Sequence, residues 1–413
     1  MQSLLLEART GFRAASRVFG AVVNFFGIPW EIPEHTTGRT GLLRIALYQL
    51  RRPKERATDW IWIVDHTVQT GPEKCLAILG VRVRDLPPPG ECLRLEHLSP
   101  LNLLPVTHSD QHIVLDQLEE TIQITGVPTA ILGDHGGDLQ AGVKRFCQAH
   151  PTTRNSYDIT HKAATLLKAR LEKNERWKSF CHRVGQTKFQ TQQTELAFLV
   201  PPSQRSKARY MNLESLLRWA SQTLCLVHEP TPEVLRHVTP QRLEEKLGWL
   251  REYRPELQQW SEYQAILSGS VDVIRRYGYS RSAEYQVALR LGPELRSHAG
   301  QQLKDELLTF IAQESALLKA DERLPGSSEA LESAFGQLKS FCGDHQSGGF
   351  TSQLLSLGAL VGRLDRQSIY DALVSVPWKH VNHWVETHLG QTYQSKRRLA
   401  YQASTDESAT KRA

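Results

Sequence analysis

A run of five apolar residues, Trp60 to Val64, ends abruptly at Asp65, and this feature limits the possible folds more than any other in the chain. A short run of this composition predicts a β-strand. A second run, Thr129 to Leu132, leads into Gly133 and Asp134. Because charged residues avoid the interior of a sheet, each carboxylate is expected to point out of the end of its strand. The sequence therefore predicts two strands that each end at an aspartate.

The order of the other predicted elements indicates an α/β fold. Apolar runs at 74–83 and 92–98 predict a second and a third strand, joined by turns rich in proline and glycine. Helices are predicted over 109–125 and 139–149, before a short strand near 157–160. Three hairpin-connected strands followed by alternating helices and strands is the order of the ribonuclease H fold, in which helices flank a mixed sheet.

The chain of 413 residues is long enough for about two or three domains. Helical periodicity dominates from about 161 to 320 and predicts no strand there, so this stretch is interpreted as an insertion. Two helices near the start, over 10–26 and from about 37 to 50, have the order of a helix-turn-helix. The predicted parts are a helix-turn-helix-like DNA-binding segment (1–55), the first part of the core (56–160), an all-α insertion (161–322), the completion of the core by helices (323–398) and a polar tail (399–413).

Positive charge is concentrated near the start of the chain. Residues 1 to 58 contain nine Arg or Lys and four Glu, a net +5, against a formal charge of +6 for the whole chain. Such a segment suits the phosphate backbone of DNA, although a solvated helical face produces the same count. The candidate DNA-binding residues in it are Arg39, Arg44, Arg51 and Arg52.

The composition argues against a membrane or secreted protein. The longest apolar run near the start, Val18 to Ile28, is too short to span a bilayer and contains Asn24. The residues after it do not resemble a signal-cleavage site. The six cysteines are scattered singly, without the spacing of a zinc site or a disulfide framework. A cytoplasmic protein without a membrane partner is therefore expected.

Asp65 and Asp134 are candidate metal ligands. In the predicted topology their strands are neighbours, so the two carboxylates could share an ion, and oxygen ligands suit magnesium or manganese. An aspartate at a strand end is often a turn former or a cap instead, and the pattern alone leaves both interpretations open. His66 and His135 follow the two aspartates and are expected to pack or to support the ligands.

Three motifs resemble those of the DDE transposases of bacterial insertion sequences, a family within the ribonuclease-H-like, retroviral integrase superfamily. They are Asp65-His66-Thr67, the segment 133–138 around Asp134, and the segment 328–339 that contains Glu332. The third is the most specific, because Glu332 precedes Lys339 by seven residues, as in the family. Pro325 and Ser328 stand where many members have a tyrosine and an arginine. The resemblance covers roughly residues 10 to 360 and includes the position of the insertion.

The resemblance implies a catalytic triad of Asp65, Asp134 and Glu332 that binds two Mg²⁺ or Mn²⁺ ions. The implied reaction is phosphodiester hydrolysis at transposon ends and strand transfer into target DNA, with no small-molecule substrate. Double-stranded DNA is then the partner, contacted by Lys339 and Lys162, and a homodimer on DNA is expected. Glu329 lies three residues before Glu332 on the same helix face and is the alternative third ligand.

Other functions remain open from the sequence. One is a ribonuclease-H-like DNA nuclease without strand transfer, and another is an inactive, transposase-derived DNA-binding protein. In a third, the acidic residues are structural and the chain is a helical interaction protein. Three tryptophans of the insertion are expected to be mainly core residues, although one could stack on a flipped base; they are Trp219, Trp249 and Trp260.

Overall fold

The computed structural model describes residues 1–68, 71–204, 210, 213–292, 297–342 and 349–410. The chain forms two compact units, of which the first combines Met1–Asp158 with Ser327–Ala413 and the second is Ile159–Gly326. The predicted insertion, 161–322, falls within the second unit. The helices are α1 (Gln2–Leu6), α2 (Phe12–Phe25), α3 (His35–Arg51), α4 (Gln111–Thr125), α5 (Gly137–Ala149), α6 (Ile159–Leu171), α7 (Glu175–Thr191), α8 (Glu214–His228), α9 (Pro232–Leu235), α10 (Pro240–Leu247), α11 (Arg254–Tyr277), α12 (Ala283–Leu291), α13 (His298–Ser315), α14 (Glu329–Cys342), α15 (Leu357–Leu360), α16 (Arg366–Ser375), α17 (Trp378–His388) and α18 (Tyr393–Thr410).

The first unit contains a mixed sheet with the strand order β3-β2-β1-β4-β5. β1, β2 and β3 pair antiparallel, whereas β4 and β5 run parallel to β1. The predicted mixed sheet flanked by helices is thereby confirmed. The strands are β1 (Trp60–Val68), β2 (Lys74–Arg82), β3 (Ser99–Val106), β4 (Ala130–Gly133) and β5 (Arg154–Tyr157).

The third strand was predicted in the wrong place, at 92–98 instead of Ser99–Val106. Within the predicted range, Leu95–His97 forms a short 3-10 helix. The true strand contains Pro100 and Pro105, which lack the amide hydrogen that an inner strand needs. β3 lies at the edge of the sheet, where one side of the strand has no partner strand among the described residues, so proline is tolerated there.

One face of the sheet packs against α4 and α5. Apolar side chains of the sheet and these helices form a continuous buried cluster, which includes Trp60, Trp62, Val64, Leu76, Ile78, Ile131, Val114, Leu118, Val143 and Phe146. The members from β1 are alternate residues, as the period of a strand requires. This face therefore supplies the main core on one side of the sheet.

Helix α14 covers the other face of the sheet at β1. It contacts β1, and its residues Leu331, Ala334 and Leu338 are buried. Among the described residues, none of α14 belongs to the cluster formed with α4 and α5. The sheet thus lies between α4 and α5 on one side and α14 on the other.

Helix α3 packs among helices from both ends of the chain. It contacts α1, α2, α15, α16, α17 and β3. Its exposed residues are confined to its two ends, at His35–Thr37, Arg39 and Arg51. Both predicted helices of the N-terminal segment are present, but a recognition helix needs an open side to enter the major groove. In the part of the chain that the structure describes, the packing of α3 leaves no such side along its middle.

The second unit consists of helices α6 to α13 in the residues described, with one isolated bridge between Tyr279 and Leu324. Trp260 is 1% exposed and packs edge-to-face on Trp177. Trp249 and Trp219 are partly buried, and their indole nitrogens donate hydrogen bonds to Thr187 and to the carbonyl of Leu199. All three tryptophans singled out from the sequence therefore contribute to packing.

None of the helices in the described part of the chain is both long and apolar enough to cross a membrane.

Candidate active site

Asp65 and Asp134 leave two neighbouring strands at the same level. β1 and β4 pair in parallel from Ile61 opposite Ala130 to Val64 opposite Gly133, and the two aspartates are the next residues. This confirms that the two strands are neighbours. β1 itself continues to Val68 through its pairing with β2, so Asp65 is not the end of its strand as predicted. It is the first residue at which β4 no longer pairs with β1.

The side chain of Asp65 belongs to the sheet face that α14 covers. Successive residues of a strand point to opposite faces, and Trp62 and Val64 point toward α4 and α5. Asp65 therefore shares the opposite face with Ile61 and Ile63. Its Oδ1 accepts a hydrogen bond from the backbone amide of His66 at 2.6 Å, and its side chain is partly buried.

Asp134 begins a glycine-rich turn between β4 and α5. Its Oδ1 accepts a hydrogen bond from the backbone amide of Gly136 at 3.2 Å. A Cβ atom at Gly133 would lie 3.0 Å from Cγ2 and 3.1 Å from the carbonyl oxygen of Val64. The absence of a side chain at Gly133 therefore lets β4 approach β1 closely where the two aspartates emerge.

Helix α14 brings Glu332 to the same side of the sheet. Glu332 is partly buried, while Glu329 and Lys339 are exposed. Leu331, Ala334 and Leu338 form a buried stripe on this helix, and Glu332 is adjacent to the stripe. Of the two glutamates, Glu332 is therefore the more buried.

Asp158 is a residue of this region that the sequence did not single out. It follows β5 and is 1% exposed. Its Oδ2 accepts hydrogen bonds from the backbone amide and from the hydroxyl of Ser328, the residue before α14. The two residues are 170 positions apart, and the only signal in the sequence is an aspartate directly after a short strand.

A cluster of polar side chains lies at the start of α5, around Asp138. Its Oδ2 accepts hydrogen bonds from Lys74 Nζ at 2.6 Å and from Ser109 Oγ at 2.7 Å. Partial burial alone would raise the pKa of Asp138, but these bonds and the charges of His66 and Lys74 outweigh it and lower the pKa to about 2. The carboxylate is thus ionised and already paired.

The two histidines of the motifs take part in packing. His66 is mostly buried, and burial lowers its pKa, against the opposing effect of Asp138. His66 Nδ1 lies 3.9 Å from the carboxylate of Asp138. The ring of His135 stacks on Tyr157 at 3.7 Å between centroids, and its Nδ1 is 3.0 Å from Gln140 Nε2.

The carboxylates fit a hard divalent cation in donor chemistry, since Asp65, Asp134 and Glu332 offer oxygen ligands alone. Their elements converge, because β1 adjoins β4 and contacts α14. Within the described part of the chain, however, no three Asp, Glu, His or Cys side chains are grouped closely enough to hold an ion. The structure therefore brings together the elements that carry Asp65, Asp134 and Glu332, and does not assemble the three carboxylates into a formed metal site.

The candidate DNA-binding residues near the start have different environments. Arg51 and Arg52 are exposed at the end of α3, and Arg39 is exposed with its Nη2 2.6 Å from Ser352 Oγ. Arg44 is partly buried and donates hydrogen bonds to the carbonyls of Leu373 and Val376 at the end of α16. The hydrogen bonds of Arg44 give it a structural role that the sequence did not predict.

The two candidate lysines also differ. Lys339 is exposed near the end of α14. Lys162 lies in the second unit, on α6, and its Nζ is 4.9 Å from the centre of the Phe310 ring. A cation at this distance from an aromatic face is stabilised within its own unit. Lys339 is therefore the more open of the two.

No protein-family model matches the chain. No curated protein matches it either. Among solved structures, the chain is similar to the Drosophila P element transposase strand transfer complex, with 11% sequence identity and a TM-score of 0.33. That match covers 92% of this chain and 90% of the other chain. A TM-score this low does not establish a shared fold.

Proposed function

We propose that this chain is a DNA transposase that cleaves phosphodiester bonds at the ends of a mobile DNA segment and joins those ends to target DNA. The observation that carries the proposal is the parallel pairing of β1 with β4, which ends at Val64 and Gly133 and is followed on both strands by an aspartate. The order β3-β2-β1-β4-β5, with three antiparallel and two parallel strands, supports a ribonuclease-H-like core.

In the proposed site, Asp65, Asp134 and Glu332 hold two Mg²⁺ or Mn²⁺ ions. When bound, such ions supply activation of the attacking hydroxyl and stabilisation of the leaving oxygen. Asp65 and Asp134 come from paired strands and provide a rigid base. Glu332 lies on α14, which contacts the same sheet, and supplies the third carboxylate. Three carboxylates gathered around the same ions would repel one another without them, so the cations would be needed to hold the three side chains together.

Double-stranded DNA is the proposed partner, bound by two copies of the chain. Arg51, Arg52 and Arg39 are exposed at the ends of α3, and Lys339 is exposed on the helix of Glu332. Cations in such positions neutralise phosphates with little cost in desolvation. The basic N-terminal segment then acts through the ends of α3, because the middle of this helix is buried.

The decisive experiment follows cleavage and joining separately. Nicking of supercoiled plasmid is measured in Mn²⁺, and joining is measured with duplexes that the protein itself selects from a random pool. Wild type is compared with Asp65→Asn, Asp134→Asn and Glu332→Gln, with Glu329→Gln as the matched control on the same helix. Each of the first three substitutions is expected to reduce nicking by about 100-fold or more while leaving DNA affinity unchanged.

Each alternative predicts a different result. Nicking without joining would indicate a nuclease of the same fold. DNA binding without nicking by wild type would indicate an inactive DNA-binding protein. Loss of nicking in Glu329→Gln but not in Glu332→Gln would assign the third carboxylate to Glu329. A protein that neither binds DNA nor responds to Mn²⁺ would contradict the proposal altogether.

A further inference from the structure

Asp158 is a buried carboxylate that takes no direct part in the proposed chemistry. Both Asp158 and Ser328 are 1% exposed. A buried charge is costly unless it is hydrogen-bonded, and here Oδ2 accepts from the amide and, at 2.8 Å, from the hydroxyl of Ser328. Ser328 directly precedes α14, so the carboxylate lies at the positive end of that helix. These interactions fix the point at which α14 begins.

A chain of hydrogen bonds runs from Asp158 to both sides of the proposed site. The carbonyl of Ser328 accepts a hydrogen bond from the backbone amide of Glu332 at 3.2 Å. The backbone amide of Asp158 donates to the carbonyl of Gly133 at 3.1 Å, and Gly133 precedes Asp134. Asp158 therefore connects the end of β4, next to Asp134, with the first turn of α14, which contains Glu332.

The covalent chain does not provide this link. Between Asp158 and Ser327 it passes through the whole second unit, Ile159–Gly326. Bringing together two points so far apart in sequence costs conformational entropy, which has to be offset by contacts at the junction. The amide of Ile159 also donates to the carbonyl of Gly326 at 2.9 Å, so the outgoing and returning segments run side by side.

We propose that Asp158 is a positioning residue that sets the location of Glu332 relative to Asp134. This inference rests on the proposed function, because Glu332 matters only if the triad performs the chemistry. A ligand residue held through a hydrogen-bonded neighbour loses its geometry when that neighbour is changed. The expected defect is therefore in binding of the metal ion and not in binding of DNA.

The test uses Asp158→Asn and Ser328→Ala, with Ser328→Thr as the conservative variant that keeps the hydroxyl. The matched control is Asp365→Asn, because Asp365 caps α16, a helix without a proposed ligand. Two readouts are taken on the full chain: hydrogen exchange of the amides of Ser328, Leu331 and Glu332, and the Mn²⁺ concentration for half-maximal plasmid nicking.

The inference predicts about tenfold faster exchange at these amides in Asp158→Asn and in Ser328→Ala. It also predicts a Mn²⁺ requirement about 10- to 100-fold higher, with unchanged plasmid affinity. Ser328→Thr and Asp365→Asn should match wild type in both readouts. If Asp158→Asn fails to fold, the comparison of Ser328→Ala with Ser328→Thr tests the inference in its place.

Unchanged exchange would overturn the proposed link between Asp158 and α14. Faster exchange with an unchanged Mn²⁺ requirement would reduce Asp158 to a structural residue and overturn its positioning role. If wild type nicks no DNA at all, the proposed function fails instead, and the exchange measurement still shows whether Asp158 holds the start of α14.

Discussion

The ammonium group of Lys74, the first residue of β2, lies 2.6 Å from the carboxylate of Asp138 in the first turn of α5. Asp138 also accepts a hydrogen bond from Ser109, just before α4. One carboxylate thus connects the β1–β2 hairpin, the loop before α4 and the start of α5. The last of these follows directly after the turn of Asp134.

Asp138→Asn should be less stable than wild type, and the loss of stability should be larger at neutral pH than at acid pH. The pKa of Asp138 is about 2 in the folded protein, against about 3.9 in an unfolded chain. Its stabilising effect is therefore complete above a pH of about 4 and is lost as the pH falls toward 2. We expect Asp138→Asn to lower the melting temperature by about 2 °C at pH 7 and by less at pH 3.

The control for Asp138→Asn is Asp116→Asn, on the exposed side of α4. It should change the melting temperature equally little at both values of pH. A difference between wild type and Asp138→Asn that stays constant from pH 7 to pH 3 would contradict the assigned role of this carboxylate.

Gly133→Ala should disturb the approach of β4 to β1. The added Cβ would meet Val64 at 3.0 to 3.1 Å, and one of the two atoms is a backbone oxygen that cannot rotate away. Overpacking of this kind costs about 1–3 kcal/mol in the free energy of unfolding. Plasmid nicking should also fall, because Asp134 is the next residue.

Gly137→Ala is the matched control for Gly133→Ala, since a Cβ at Gly137 has no atom within 4 Å among the described residues. Urea unfolding should show that it matches wild type or is slightly more stable. Equal stability of the two alanine variants would contradict a steric requirement for glycine at position 133.

Arg44→Met should weaken the fold without weakening DNA binding. The guanidinium holds carbonyl groups at the end of α16, at 2.5 Å in the case of Val376. Removing a charged donor from such acceptors costs about 1–3 kcal/mol. Urea unfolding and DNA titration on the same samples test both parts; a large loss of DNA affinity in a stable variant would restore Arg44 as a DNA contact.

The double variant Arg51→Ala, Arg52→Ala should show the opposite pattern. Both side chains are exposed at the end of α3, so stability should change by less than about 0.5 kcal/mol. If both contact phosphates, the slope of the logarithm of DNA affinity against the logarithm of salt concentration should become shallower by about 2. Arg218→Ala in the second unit serves as the control. An unchanged slope in the double variant would mean that the C-terminal end of α3 does not contact DNA.

The sequence predicted the parts of the fold that depend on local pattern. The apolar runs before Asp65 and Asp134 identified β1 and β4, and the Glu332–Lys339 spacing lies on a helix, α14. The order of the elements was sufficient to predict that β1 and β4 are neighbours. These features depend on residues close together in the chain, where periodicity and composition are informative.

Features that depend on distant residues could not be predicted in this way. Pro100 and Pro105 argued against a strand at the position of β3. Proline is tolerated there because β3 lies at the edge of the sheet, which the local sequence does not reveal. The arginines of α3 suggested a surface helix, whereas helices from the far end of the chain bury its middle. The bond between Asp158 and Ser328 joins positions on either side of the second unit and has no local signature.

The most direct test of the triad is to map where a bound metal ion lies. Fe²⁺ in place of Mg²⁺, with ascorbate and peroxide, generates radicals that cut the polypeptide close to the ion, and the fragments are identified by mass spectrometry. Cuts near Asp65, Asp134 and Glu332 that Mg²⁺ suppresses, and that Asp134→Asn abolishes while Asp116→Asn does not, are the predicted result. Cuts confined to other segments, or cuts that persist in Asp134→Asn, would contradict a metal site shared by these three carboxylates.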